Sequence, residues 1–141
     1  MSAAGASGAT SDSLGTLTAV AATGSVTYTP FSLVTSDLCP AGTEYVNAWV
    51  NNPAAGWNDV LMVGTTDLEL ANLNTSGIPA TNTIGSIATD QTPALSVPDG
   101  TYSVSLHCQV GIIGAEVVGT FDGSFTVAGD TYTFEPLGAA A

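Results

Sequence analysis

Apolar and polar residues alternate without a break along residues 101–110, where every second residue from Tyr102 to Val110 is apolar. Successive side chains of a β-strand point to opposite faces of the sheet, so this pattern predicts a strand with one buried and one solvated face. His107 falls among the intervening Ser, Thr and Gln residues and is therefore expected on the solvated face.

The same period of two recurs near the C-terminus, on both sides of the turn residues 128–130, and predicts a hairpin there. Residues 72–92 are mostly polar and are expected to form a long connection that could hold one edge strand. Many short strands between turn signals, without a helical period, indicate an all-β fold built as a two-sheet sandwich or a barrel. Further short strands are predicted at residues 16–22, 25–29, 31–35, 45–50, 60–65, 67–73, 94–97 and 115–121.

The chain has 141 residues, enough for one domain. Residues 1–15 are mostly Ala, Gly, Ser and Thr and predict an extended arm, in which Ser2 and Leu14 are the candidate contact residues; residues 16–141 form the domain. The arm lacks the basic and apolar regions of a signal peptide. We therefore expect either that the chain is not secreted or that a signal peptide has been removed from it. No apolar run is long enough to insert into a membrane.

The chain contains 12 Asp and Glu residues and no Lys or Arg, which gives a formal net charge of −12. Binding of nucleic-acid phosphates and of anionic membranes depends on Lys and Arg, and both are excluded. Schiff-base chemistry is excluded because it requires a lysine. The charge keeps free copies apart and attracts a basic partner surface.

Cys39 and Cys108 lie 69 positions apart. Two cysteines in a small β-rich chain indicate one disulfide, although two buried thiols in a reduced chain are the alternative. Closing a loop of that length would contribute about 4 kcal/mol in the chain-entropy model. A disulfide implies a location outside a reducing cytoplasm, either extracellular or on the surface of a virion.

The order Cys39, Trp49, Cys108 resembles the framework of bacterial and phage immunoglobulin-like (Ig-like) surface domains. Residues 98–104, Pro-Asp-Gly-Thr-Tyr-Ser-Val, are similar to a strand beginning common in those domains, and residues 39–42, Cys-Pro-Ala-Gly, to one of their turns. Residues 125–127, Phe-Thr-Val, look like their closing strand. The resemblance covers about residues 25–135 and implies an Ig-like two-sheet antiparallel sandwich, with Trp49 in the core against the disulfide.

The chain has few of the residue types that catalytic sites use. His107 is the one histidine, and a catalytic triad or zinc site needs further partners around it. Asp67 and Glu69 are predicted to share one strand face, either as a carboxylate pair for glycoside hydrolysis or as a solvated strand edge. No active-site constellation is found, and the chain is predicted not to be an enzyme.

No cofactor is expected. Calcium is the one ion that the sequence leaves open, because Asp99, Asp122 and Asp130 each lie beside a glycine at a predicted turn. The alternative is that these carboxylates only shape the turns. Trp57 follows a turn-rich segment and is the candidate for an exposed contact with a protein or a carbohydrate, unless it folds back over the end of the sandwich.

These observations favour a non-enzymatic structural subunit on the outside of a larger assembly, such as a virion decoration or capsid protein, whose arm contacts its neighbours. Its expected partners are copies of itself or a scaffold such as a major capsid or surface protein. The alternative is a secreted or cell-surface Ig-like module that recognises a protein or a glycan. Fold alone does not choose between them.

Overall fold

The computed structural model of the protein describes residues 13–30, 32–70 and 82–136. The prediction of an all-β fold is confirmed: strands dominate this part of the chain. Two 3₁₀ turns, Pro53–Ala55 and Leu68–Leu70, and one short helix, α1 (Ile84–Thr89), join them. The strands are β1 (Ser13–Ala19), β2 (Thr23–Ser25), β3 (Leu33–Thr35), β4 (Tyr45–Asn52), β5 (Trp57–Asp67), β6 (Gly100–Val110), β7 (Glu116–Ala128) and β8 (Thr131–Pro136).

The strands pair into one curled, mainly antiparallel sheet. Its main path runs β2-β8-β7-β6-β4-β5. β1 begins parallel to β7, with Ser13 opposite Thr120, and then leaves it to pair antiparallel with β3, with Ala19 opposite Leu33. This change of partner carries β3 away from the main path, and the sheet curls around its buried side chains.

β1 leaves β7 at Gly123, where the two backbones approach closely. A Cβ at Gly123 would lie 2.0 Å from the carbonyl oxygen of Leu17, whereas a Cβ at Gly64 in β5 would meet nothing within 4 Å. Main-chain atoms held by pairing cannot move aside as a flexible side chain can. Only glycine therefore fits at Gly123 without displacing β1.

Gly123→Ala is expected to lower the free energy of unfolding by about 1–3 kcal/mol because it overpacks this crossing. Gly64→Ala is the matched control; it should be neutral or stabilise by about 0.4–1 kcal/mol through the unfolded chain. Urea unfolding followed by circular dichroism measures both. Equal effects of the two substitutions would contradict the close approach of β1 and β7.

The core lies on the concave side of the sheet and is rich in aromatic side chains. Tyr102 stacks on Phe125 with ring centroids 4.9 Å apart, and Trp57 meets Tyr102 edge-on. The alternation predicted for residues 101–110 is confirmed as far as Cys108, since Tyr102, Val104, Leu106 and Cys108 are all buried. It is wrong at the end of the strand, where the register with β7 shifts after Cys108, Gln109 is buried and Val110 is exposed. Each such side chain contributes about 1.5–3 kcal/mol when fully removed from water.

The predicted disulfide is present. Cys39, in the segment after β3, is bonded to Cys108 in β6, and their Cα atoms are 5.9 Å apart. Cys108 is fully buried, so the bond passes through the core and ties the β3 side of the curl to the centre of the main sheet.

The segment expected as a long connection contains the helix α1, so that prediction is wrong for residues 84–89, while residues 72–81 of the segment lie outside the described residues. Thr83 caps it: its hydroxyl accepts a hydrogen bond from the Ser86 amide at 3.1 Å, and the Ser86 hydroxyl accepts one from the Thr83 amide. This reciprocal pair satisfies two amides that a helix start leaves without partners. Ile84 and Ile87 then reach the core.

Several predicted strand boundaries also differ. β7 is one continuous strand where two were predicted, and residues 94–97 are not a strand. The predicted arm overlaps β1 at residues 13–15, while residues 1–12, including Ser2, lie outside the described residues.

Candidate functional site

Trp49 lies on the outer face of the sheet, so the prediction of a core Trp49 is wrong. Val46, Ala48 and Val50 point into the core from β4, and the period of two turns Trp49 the other way, where its side chain is half-buried. Both faces of this strand carry apolar residues, and the face with the smaller side chains lies in the core.

A groove opens on this outer face across four strands. Its volume is about 330 Å³. The pairing of β4 with β6 brings its residues together, because Asn47 lies opposite His107 and Trp49 opposite Ser105. We call it the Trp49 groove; its lining residues are Asn47, Trp49, Asp59, His107, Gln109 and Val117.

A chain of amide hydrogen bonds fixes the Trp49 ring. Its indole Nε1–H donates to Asn47 Oδ1 at 2.9 Å, and Asn47 Nδ2 donates to Gln109 Oε1 at 2.8 Å and to Thr65 Oγ1 at 3.3 Å. Gln109 Nε2 donates in turn to the Gly111 carbonyl at 3.0 Å. Asn47 and Gln109 are only 5% and 6% exposed, so this network is held in a low-dielectric setting that strengthens it.

His107 lies beside Trp49, with ring centroids 6.5 Å apart, on the face that the sequence predicts. Burial lowers the pKa of its imidazole, and the carboxylates of Asp122 and Asp59 oppose this shift more weakly. The ring is therefore neutral at pH 7 and carries one donor and one acceptor nitrogen. Within the described residues neither nitrogen is hydrogen-bonded to the protein.

Asp59 brings a carboxylate to the groove in an uncommon backbone conformation, with φ at +49°. Asn51 holds it there: Asn51 Oδ1 accepts from the Asp59 amide at 2.7 Å, and Asn51 Nδ2 donates to Asp59 Oδ1 at 3.1 Å. A strained residue of this kind persists where its surroundings over-determine it, and such residues concentrate at functional sites.

A second exposed feature lies at the end of the sheet where β6 turns into β7. Ile112 and Ile113 project from this turn between Gly111 and Gly114, and Ile113 is 98% exposed. The Gly111 amide donates to the Glu44 carboxylate at 2.8 Å, which holds the base of the turn. The disulfide brings Leu38 to the same end. We call this surface the apolar tip; its members are Leu38, Val110, Ile112 and Ile113, all of them exposed.

Trp57 does not form an exposed contact, so that prediction is wrong. It is 1% exposed, donates its Nε1–H to the Ser96 carbonyl at 2.8 Å and packs against Tyr102. Trp57 begins β5, and its ring folds back over the core. Leu14 is half-buried and packs beside Gly119 of β7, within the domain's own core.

The carboxylates singled out in the sequence lie at different places in the fold than predicted. Asp67 ends β5 whereas Glu69 lies in the 3₁₀ turn that follows, so the predicted shared strand face is wrong, although both side chains line one open pocket with Glu44. Asp99 accepts from the Gly129 amide at 2.9 Å, and Asp130 accepts from the hydroxyls of Ser25 and Thr27; these last two hydrogen bonds lower the pKa of Asp130.

Asp122, expected at a turn, lies in the middle of β7. In the part of the chain that the structure describes, no three His, Cys, Asp or Glu side chains are grouped to hold a metal ion. Among the same residues no helix is both long and apolar enough to cross a membrane.

Sequence reasoning missed both the Trp49 groove and the apolar tip. The tip had a signal, because two isoleucines between two glycines break the alternation at the end of β6. The groove had none, since it depends on the pairing of distant strands. Compared with models of protein families, with curated proteins and with solved structures, the chain shows no match, and function is therefore inferred from these two surfaces.

Proposed function

We propose that the protein is a non-enzymatic structural subunit displayed on a larger assembly and attached to a scaffold protein through the apolar tip. The observation that carries this proposal is the exposure of Ile112 and Ile113 at the end of a fixed hairpin turn. An isolated soluble domain gains nothing by presenting two adjacent isoleucines to water, whereas an interface buries such anchors.

The surroundings of the tip indicate the partner's chemistry. Glu44 lies at its base and Glu116 pairs with Val110 at its edge, in a chain with a net charge of −12. Copies of the protein repel one another, and the chain has no Lys or Arg to offset this. A scaffold surface with an apolar pocket bordered by Lys or Arg is the complementary partner.

The start of β1 supports attachment at the same end. Ser13 lies opposite Thr120, near the beginning of β7, and β1 runs parallel to β7 away from the tip. The described part of β1 therefore begins on the side of the tip.

We further propose that the curled sheet is a sandwich of the Ig-like class. The order β7-β6-β4-β5 corresponds to the G-F-C-C′ order of variable-type Ig domains, and a disulfide reaches the strand in the F position. β8 and the outward Trp49 depart from that pattern. An experimental structure that shows two facing sheets with Greek-key connections would establish this class.

The attachment is tested on the chain isolated untagged from its native source. Light scattering should give a mass well above 14.0 kDa, because the subunit remains on its assembly. Ile112→Ser combined with Ile113→Ser should release it, since each isoleucine loses about 1.5–3 kcal/mol of burial.

Val20→Ser is the matched control, because Val20 is an exposed aliphatic residue beyond the far end of β1. It should leave the assembly intact. A monomeric wild-type protein, or a double variant that stays bound as tightly as Val20→Ser, would contradict attachment through the tip.

The second candidate function is a secreted or cell-surface binding module. The specific observation that favours it is the Trp49 groove, which attachment through the tip leaves unexplained. A 14.0 kDa monomer from the native source would favour this function.

A further inference from the structure

We infer that the Trp49 groove binds a neutral pyranose sugar, whose ring stacks on Trp49 while its hydroxyls donate to Asp59 and exchange hydrogen bonds with His107. This inference rests on the second candidate function. It is independent of the apolar tip, which lies at the end of the sheet and shares no residue with the groove.

Trp49 has the properties of a stacking platform. Its indole N–H is already satisfied by Asn47, so the ring needs no further polar partner and is held in one orientation. Leu61, its exposed neighbour on β5, extends the apolar surface beside it. The C–H face of a pyranose carries partial positive charge and suits the negative face of an indole.

The polar groups around the platform match hydroxyls. Asn51 engages Asp59 Oδ1 and leaves Oδ2 to accept from a ligand. His107, neutral and without a hydrogen-bond partner in the described residues, offers one donor and one acceptor, which is the complement of a hydroxyl. Because strand pairing and the amide network fix these groups beforehand, little conformational entropy is lost when a ligand binds.

The charge of the groove selects among sugars. Asp59 lines it and Asp122 acts on His107 from β7, while the chain has no Lys or Arg to receive an acid group. Sialylated, sulfated and phosphorylated glycans are therefore repelled. An alkylammonium group would suit the carboxylates, but it would leave the donor nitrogen of the imidazole without a partner. The volume of about 330 Å³ fits a small ring-shaped ligand.

The test uses an array of neutral oligosaccharides of glucose, galactose, mannose and N-acetylglucosamine, with sialylated and sulfated counterparts. Calorimetric titration then compares the best neutral ligand with tetramethylammonium. Wild-type protein should bind neutral members only. Trp49→Ala should weaken binding about 30-fold, as for an aromatic anchor that the ligand covers. Asp59→Asn should weaken it roughly 10-fold or more, because a charged acceptor is lost.

Two further variants separate stacking from general damage. Trp49→Phe keeps an aromatic face and should retain most of the affinity. Tyr28→Ala removes an exposed aromatic ring at the turn after β2, away from the groove, and should leave binding unchanged. Circular dichroism melting shows that each variant is folded before it is titrated.

Three outcomes would overturn the inference: no binding of any neutral sugar by the folded wild-type protein, binding that Trp49→Ala leaves intact, or a preference for tetramethylammonium over every sugar. The last would assign the groove to a cation. None of them bears on release by the tip variants, so failure of this site and failure of the proposed attachment are distinguishable.

Discussion

Trp57→Ala is expected to lower the free energy of unfolding by about 3–5 kcal/mol, whereas Trp49→Ala should lower it by only about 1 kcal/mol. Trp57 is fully buried, meets Tyr102 edge-on at a centroid distance of 5.3 Å and satisfies its N–H on the Ser96 carbonyl. Its removal leaves a cavity and a carbonyl without its donor. Trp49 faces the groove, where water replaces its ring and can hydrate Asn47.

Urea unfolding followed by far-ultraviolet circular dichroism compares the two variants, because this signal does not depend on the tryptophan removed. The pair is its own control, since both remove the same side chain from neighbouring strands. A larger loss for Trp49→Ala than for Trp57→Ala would mean that the core and outer faces of β4 are exchanged.

Removal of the disulfide is the second large effect. The bond between Cys39 and Cys108 closes a loop over a separation of 69 residues, and in the chain-entropy model this contributes about 4 kcal/mol. Cys39→Ala combined with Cys108→Ala should lower the free energy of unfolding by that amount, because the unfolded chain regains its freedom.

The control is reduction. Dithiothreitol should destabilise the wild-type protein to a similar extent and leave the double alanine variant unchanged. Thiol titration of the unfolded, unreduced protein should find no free thiol. Free thiols, or equal stability with and without reductant, would contradict the cross-link and with it the inference of an oxidising location.

The predictions that held depend on local pattern. In β6 one face is entirely apolar and the other polar, so the period of two alone places Leu106 inside and His107 outside. The hairpin of β7 and β8 follows in the same way from its turn residues. The helix α1 also had a local signal, the Thr83 and Ser86 capping pair, which the polar composition of its surroundings masked.

The failed prediction for Trp49 involved a choice between two faces that both carry apolar residues. β4 has Val46, Ala48 and Val50 on one face and Tyr45 and Trp49 on the other, and the resemblance to Ig-like domains implied that Trp49 is in the core. The structure buries the smaller side chains, on the side of the sheet where Trp57 and Tyr102 also pack. The burial of this face depends on residues from other strands, which no short window of sequence contains.

The sequence by itself determined the all-β class, the faces of β6 as far as Cys108, the C-terminal hairpin and a chain without Lys or Arg, and it favoured the disulfide. Only the tertiary structure decided which tryptophan is buried, that β1 crosses β7 at Gly123, and that Trp49, Asp59 and His107 share one groove. The reason is physical: the alternation of side chains is fixed within a strand, whereas register and packing are fixed between strands that lie far apart in the chain.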